Sequence, residues 1–420
     1  MSGQRARNHQ NIRSPLEIQL SKLSMEKPIY LDYNATTPVD PRVVESMMPF
    51  FTEKFGNDAS TQHAFGHDAA QAVDHARQQL ATLFNADPRE IICTSGATES
   101  NNLAIKGAGA WYQDKGKHII SAVHEHLAVV DPLQRLVEQG YEVTWLRPDP
   151  SGVISAEQVE DAIRNDTILV SIMWAHNEIG SINPIQDIGR VCKDRGVLFH
   201  TDAAQFAGRL PVDVHEAGID LLSASAHKFY GPKGVGCLYV RRRGPRARLT
   251  ALIDGGGHQR GLRSGTLNVP GIVGMGAAAE ICINEMDQHA TRLKVLRDDL
   301  EQQLSKKIDD IQINGRPHLD AQDTRMYQTS NVSFAGIDAQ ALIKAVPQLA
   351  ISSGSACQSA SGQSTRVLRS LGLDEPMARA AVRFSLGRAT DQAQIDAAVA
   401  LIADTVDQLR RSGQTAQCGI

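Results

Sequence analysis

From residue 90 onward the chain repeats one unit: a short apolar run, a polar loop, then a stretch with apolar residues at helical spacing. Ile91-Ile92-Cys93, His118-Ile119-Ile120, Glu142–Leu146, Thr167–Trp174 and Val197–Thr201 read as strands. Between them, Asn101–Ala110, Leu127–Glu138, Ala156–Arg164 and Ile185–Asp194 read as helices. This alternation predicts an α/β fold with a mostly parallel sheet covered by helices on both faces. In such sheets ligands gather at the carboxyl ends of the strands. A further strand, Ile219-Asp220-Leu221-Leu222, stops in a cluster of small and hydroxyl residues, and Val235–Val240 follows after a turn at Gly231-Pro232.

The flanks read differently. Ile29-Tyr30-Leu31 is a short strand, Pro41 opens a helix to about Lys54, and Gly66–Phe84 forms a long helix with Ala69, Val73, Ala76, Leu80 and Leu83 on one face. After Thr266 a helical region from about Pro270 to Lys306 leads into a strand (Thr329–Phe334), a helix (Ala339–Val346), a strand (Leu349–Ile351) and a final helix to about Leu409. At 420 residues the chain exceeds one ordinary core. The expected division is a tail over 1–27, a large domain over 42–285, and a smaller α+β domain made of 28–41 with 286–420.

Composition narrows the class. Hydrophobic residues make up 42% and charged residues 21%, the balance of a globular chain, and the net charge of −4 gives no basic field for nucleic acid or an anionic membrane. The six cysteines are scattered without a C-x-x-C pair, which argues against a disulfide framework or a structural zinc site and fits a reducing cytoplasm. The expectation is therefore a cytoplasmic protein with no metal, no membrane contact and no direct nucleic-acid contact.

The candidate chemistry sits in loops that follow strands. Lys228 stands beside His227 and before Phe229-Tyr230; burial there would lower its pKa and supply a free amine for Schiff-base formation. Thr94-Ser95-Gly96-Ala97-Thr98 opens a helix, whose exposed amides suit a phosphate. Asp202 follows a strand and can pair with a ring nitrogen, although a helix cap is the plainer reading of that residue alone. His124 and His126 lack a carboxylate or cysteine at metal-ligand spacing, so a flat imidazole stacked on an aromatic cofactor is the better reading. Asn177 adds an amide after the strand ending at Trp174. A phosphate cradle, an acid, a flat ring and an amine are the requirements of pyridoxal 5'-phosphate.

One more segment singles out the chemistry. In Ser352-Ser353-Gly354-Ser355-Ala356-Cys357-Gln358-Ser359-Ala360-Ser361, every residue except Cys357 and Gln358 is Ser, Ala or Gly. Such a stretch makes a poor core segment and a good carrier for a nucleophilic thiol.

With these motifs the chain resembles the class V aminotransferase-like enzymes, and specifically the cysteine desulfurases of the long-loop group. The resemblance runs from about Ile29 to Gln408. It implies a fold-type I architecture with a seven-stranded sheet in the large domain. It also implies that Lys228 carries the cofactor, His126 stacks on its ring and assists proton transfer, and Asp202 faces the pyridine nitrogen. Gln205 and Asn177 would touch the ring oxygen, and Ala97, Thr98, Ser225 and His227 would hold the phosphate. Thr266, in Arg260-Gly261-Leu262-Arg263-Ser264-Gly265-Thr266, would reach the phosphate of a neighbouring subunit in a homodimer. Asn34 and Arg383 would receive the carboxylate of the substrate, L-cysteine.

The implied reaction converts L-cysteine to L-alanine, leaves a persulfide on Cys357, and passes sulfur to an acceptor protein for iron–sulfur cluster assembly or for tRNA or DNA thiolation. Selenocysteine lyase, an ordinary aminotransferase and a non-enzymatic subunit of a nucleic-acid modification complex are the rivals. Two departures from the family pattern stand out: His176 replaces a second Asn before Asn177, and the carboxyl-terminal tail is short, which puts delivery to a cluster scaffold in doubt.

Overall fold

The computed structural model describes residues 28–316, 325–353 and 365–417, with side chains to Ser412. Cys357 and Cys418 lie outside the described residues, as does the expected tail over 1–27. The strands are β1 (Ile29–Tyr30), β2 (Ile91–Thr94), β3 (His118–Ala122), β4 (Glu142–Leu146), β5 (Thr167–Ser171), β6 (Leu198–Asp202), β7 (Leu221–Ser225), β8 (Gly236–Val240), β9 (Ile311–Asn314), β10 (Thr329–Phe334), β11 (Leu349–Ala350) and β12 (Ala381–Ser385).

A seven-stranded sheet runs in the order β2-β8-β7-β6-β5-β3-β4. From β4 through β7 every pairing is parallel, and β8 is antiparallel to both of its neighbours. The strands other than β4 are buried along their whole length, as parallel strands under helices on both faces must be. A three-stranded antiparallel sheet, β12-β10-β9, and the parallel pair β1-β11 form the smaller unit.

The helix Val269–Lys307 joins the two. Its first half places Ile272, Met275, Ala278, Cys282 and Met286 in the core of the large sheet. Its second half gives Leu293, Leu296, Leu300 and Leu304 to a separate core with Val332, Phe334, Val382 and Phe384. Opposite its first half lies the helix Ala64–Phe84; a Cβ on Gly276 would stand 2.7 Å from the Ala76 Cα, so a larger residue there would part the helices.

Several elements differ from the expectation. The helix expected from Pro41 to Lys54 is two, Pro41–Met47 and Pro49–Thr52, because Pro49 has no amide to continue the first. The strand expected to reach Trp174 ends at Ser171, and β7 starts at Leu221 and runs through the small residues Ser223-Ala224-Ser225 instead of stopping before them. The long amino-terminal helix starts at Ala64, with the His63 side chain accepting from the Gly66 amide. Strands β9 and β12 were not expected.

Candidate active site

The carboxyl ends of β3, β5, β6 and β7 open on one cavity of about 480 Å³. β7 extends to Ser225, and a single 3₁₀ turn, Ala226–Lys228, then swings Lys228 over the sheet edge. Its Nζ donates to the carbonyls of Asn34 (2.6 Å) and Ala35 (2.9 Å). Burial, followed by the positive fields of Arg383 and Arg209, pushes the ammonium down to about 8, against opposition from Asp202 and Asp32. The lysine is thus held where an appreciable neutral fraction exists near physiological pH.

Asp202 ends β6 with both carboxylate oxygens engaged. Oδ1 accepts from the Ala204 amide at 2.9 Å and Oδ2 from Asn101 Nδ2 at 2.7 Å. The turn-capping role and a site-facing role therefore coexist in one residue, and Asn101 fixes the plane of the carboxylate.

His126 caps the helix Leu127–Val137: its Nδ1 accepts from the Ala128 amide at 3.1 Å. A backbone N–H can only donate, so Nδ1 holds the lone pair and the neutral ring carries its proton on Nε2. Burial lowers the pKa of the ring; Asp202 opposes that shift and Lys228 reinforces it.

At the other end of the cavity the helix Ala97–Tyr112 starts after Gly96 with no side chain capping it. Its leading amides and the Ser225 and His227 side chains face the same space, while Glu99 in the first turn is paired with Arg263 at 2.9 Å. Gly96 has φ +154, a conformation that residues with side chains rarely adopt, and it lines the cavity.

Arg383, on β12, is fully buried yet lines the cavity. It donates to Asp32 Oδ1 at 2.5 Å and to the Asn177 carbonyl at 3.0 Å. Asn34 is tied into the same region, its Nδ2 donating to Thr329 Oγ1 and to the Asn177 carbonyl. Gln205 donates to the Asn34 carbonyl, and its buried Oε1 has no partner among the described residues.

The structure thus brings together Asn34, Ala97, Thr98, His126, Asn177, Asp202, Gln205, Ser225, His227, Lys228 and Arg383 on one cavity. Thr266 is exposed and does not line it, and Cys357 lies outside the described residues. His124 faces away, stacked on His176 with ring centroids 5.1 Å apart; among the described residues no group of His, Cys, Asp and Glu could hold a metal ion. No described helix is long and apolar enough to cross a membrane.

Sequence reasoning missed Asp32, the partner of Arg383, and Asn101, the partner of Asp202. Asp32 carried a signal, since it ends an apolar strand just before Asn34. Asn101 carried none, being one polar residue inside a helix.

The sequence matches the Aminotransferase class-V family over residues 29–398. It is 51% identical over 386 residues to a cysteine desulfurase IscS of Anaeromyxobacter sp. (strain K), covering 92% of this chain and 94% of that protein. Among solved structures it is similar to a NifS-like protein (TM-score 0.83, 35% identity, 91% of this chain and 100% of the other). It is also similar to SspA in complex with cysteine (TM-score 0.74, 38% identity, 85% and 98%). The chain belongs to the class-V aminotransferase family.

The cofactor is pyridoxal 5'-phosphate, and the cavity fits it. An uncapped helix start offers donors for the phosphate, Lys228 offers an amine of lowered pKa, and Gln205 Oε1, unpaired among the described residues, is open to a donor.

Proposed function

We propose that the protein is a pyridoxal-phosphate-dependent cysteine desulfurase that moves sulfur from L-cysteine to Cys357 and then to an acceptor protein. The observation that carries this reading is the convergence of Lys228, Asp202, His126 and Arg383 on one cavity, in a chain whose sequence also supplies Cys357. Bound cofactor supplies an electron sink for the substrate α-carbon.

The chain's own groups do the rest. Lys228 would anchor the cofactor through its neutral amine, Asp202 would hold the ring nitrogen protonated, and Gln205 and Asn177 would meet the ring oxygen. Ala97, Thr98, Ser225 and His227 take the phosphate. Arg383 and Asn34 would receive the substrate carboxylate. His126 would lie against the ring and assist proton transfer there.

Cys357 then attacks the substrate sulfur as a thiolate. The Sγ–Sγ bond forms, the substrate Cβ–S bond breaks, and the carbon takes up protons to leave as L-alanine. A free thiol has a pKa of about 8.5, so a basic neighbour must assist at neutral pH.

The functional unit in this reading is a cytoplasmic homodimer in which Thr266 contacts the phosphate of the adjoining subunit. Phe51, Phe55 and Phe65 support such an interface: they are more than half or about half exposed in the single chain, and Phe55 stacks on Phe65 at 5.2 Å. Residues 42–285 form the cofactor domain, and 28–41 with 286–420 form the smaller domain. The acceptor serves iron–sulfur assembly or nucleic-acid thiolation.

Mass spectrometry of protein treated with L-cysteine tests the assignment. One added sulfur on the Cys357 peptide is expected, and an added sulfur in the Cys357→Ala variant would contradict it. A selenocysteine lyase would instead turn over selenocysteine while leaving L-cysteine intact.

A further inference from the structure

Behind the cavity, the turn that leads from β3 to His126 has three successive carbonyls, all taken by side chains. Arg366 donates from Nη1 to the Val123 carbonyl and from Nη2 to the Glu125 carbonyl at 2.8 Å. Between them, His176 Nε2 meets the His124 carbonyl at 3.0 Å. The far nitrogen of His176, Nδ1, accepts from the Glu178 amide at 3.0 Å, which fixes Nε2–H as the donor.

His176 therefore spans two turns. One delivers His126; the other contains Asn177, whose carbonyl accepts from both Arg383 and Asn34. Its ring is fully buried and lies flat on His124, tilted by only 7°. Burial and the neighbouring His124 keep it neutral, which this pair of hydrogen bonds requires. An asparagine at this position would keep a donor and an acceptor while giving up the flat stack on His124.

We propose that His176 and Arg366 are positioning residues that jointly set the ring-stacking His126 and the carboxylate-binding Arg383. The inference rests on the desulfurase reading of the cavity. Arg366 clamps the His126 turn from the helix Arg366–Ser370, and His176 ties that turn to the Asn177 turn on which Arg383 leans. Neither side chain lines the cavity, so each acts through the backbone that it holds. Loosening the clamp shifts His126 relative to the cofactor ring without removing any group that touches substrate.

The test uses full-length holoenzyme with Arg366→Ala, Arg366→Lys, His176→Ala and His176→Asn, and Arg369→Ala as a control. Arg369 is exposed and pairs with Glu375 on the same surface. The visible cofactor band, KM and kcat for L-cysteine, and the melting temperature are measured for each. The two alanine variants are expected to shift the band and to lower kcat/KM by about a hundredfold, the scale of a misplacement of about 1 Å. Arg366→Lys and His176→Asn, which keep a donor, recover most of that loss, and Arg369→Ala matches the parent.

Unchanged bands and kinetic constants in both alanine variants would overturn the proposal. So would losses that are equal in the alanine and conservative variants and that track the melting temperature, because a purely structural role predicts that result. If the parent protein binds cofactor and its band responds to L-cysteine without alanine forming, the desulfurase reading fails. The band shifts of the variants still decide the positioning role in that case.

Discussion

Arg383 and Asp32 face each other at 2.5 Å, one on β12 and the other just after β1, so the arginine proposed to bind the substrate carboxylate rests on a resident acid. The pair joins the segment after β1 to β12, and Arg383 lines the cavity. Asp32 occupies one edge of the guanidinium and the Asn177 carbonyl another. Arg383→Lys keeps the charge but loses the planar fork. It is expected to raise KM for L-cysteine about tenfold or more, since a hydrogen bond to a charged group is worth roughly 1.5–3 kcal/mol. Steady-state kinetics with the cofactor band as a loading control checks this, and an unchanged KM would remove Arg383 from substrate binding.

The lowered pKa of Lys228 predicts how the apoenzyme takes up its cofactor. With the folded value at about 8 instead of the usual 10.5, the neutral amine grows in through pH 8. The rate of reconstitution with pyridoxal 5'-phosphate should therefore rise with an apparent pKa near 8, followed by stopped-flow absorbance. A rate still climbing above pH 10 would show that the amine is not depressed.

Glu125 offers a test of stability. It is fully buried, Oε1 accepts from the Met173 amide at 2.6 Å, and Oε2 has no partner among the described residues. Burial, reinforced by Asp202, raises its pKa well above the usual carboxylate value. A raised folded pKa means that the native state holds the proton more tightly than the unfolded chain. Its stabilising contribution is full below the unfolded pKa and is lost as pH rises through the folded one. Glu125→Gln imitates the protonated form, so its melting temperature should gain on the parent as pH increases above 5. A constant difference across that range would show that Glu125 is ionised in the fold.

The exposed Phe55–Phe65 stack predicts an interface. If the proposed homodimer forms through this face, Phe55→Glu with Phe65→Glu should convert it into a monomer in light scattering and weaken cofactor retention, since the proposed Thr266 contact would be lost. A double variant that keeps both the dimer mass and its cofactor would place the interface elsewhere.

The strand-helix rhythm was legible because β2, β3, β5, β6 and β8 are buried on both faces and read as apolar runs. β7 was cut short in the sequence for a physical reason. Its serine at 223 is satisfied inside the sheet: Ser223 Oγ meets His200 Nε2 at 3.0 Å, and His200 Nδ1 meets Ser171 Oγ at 2.8 Å. That ladder lets polar side chains occupy a core strand, which hydropathy alone cannot anticipate. β12 was hidden similarly, since its Arg383 is buried against partners distant in sequence. The cavity residues were legible from loops after strands together with the family resemblance. The clamp of Arg366 and His176 was not, because it is made of carbonyls that become neighbours only in the fold.

The most direct measurement is the visible spectrum of the purified protein before and after L-cysteine, with alanine and sulfide assayed in the same tube. A band near ~400 nm that L-cysteine perturbs, with alanine formed, is the predicted result for a lysine-bound pyridoxal phosphate acting as an electron sink. A protein that stays colourless after incubation with pyridoxal 5'-phosphate, or a coloured one that forms no alanine, would contradict the account.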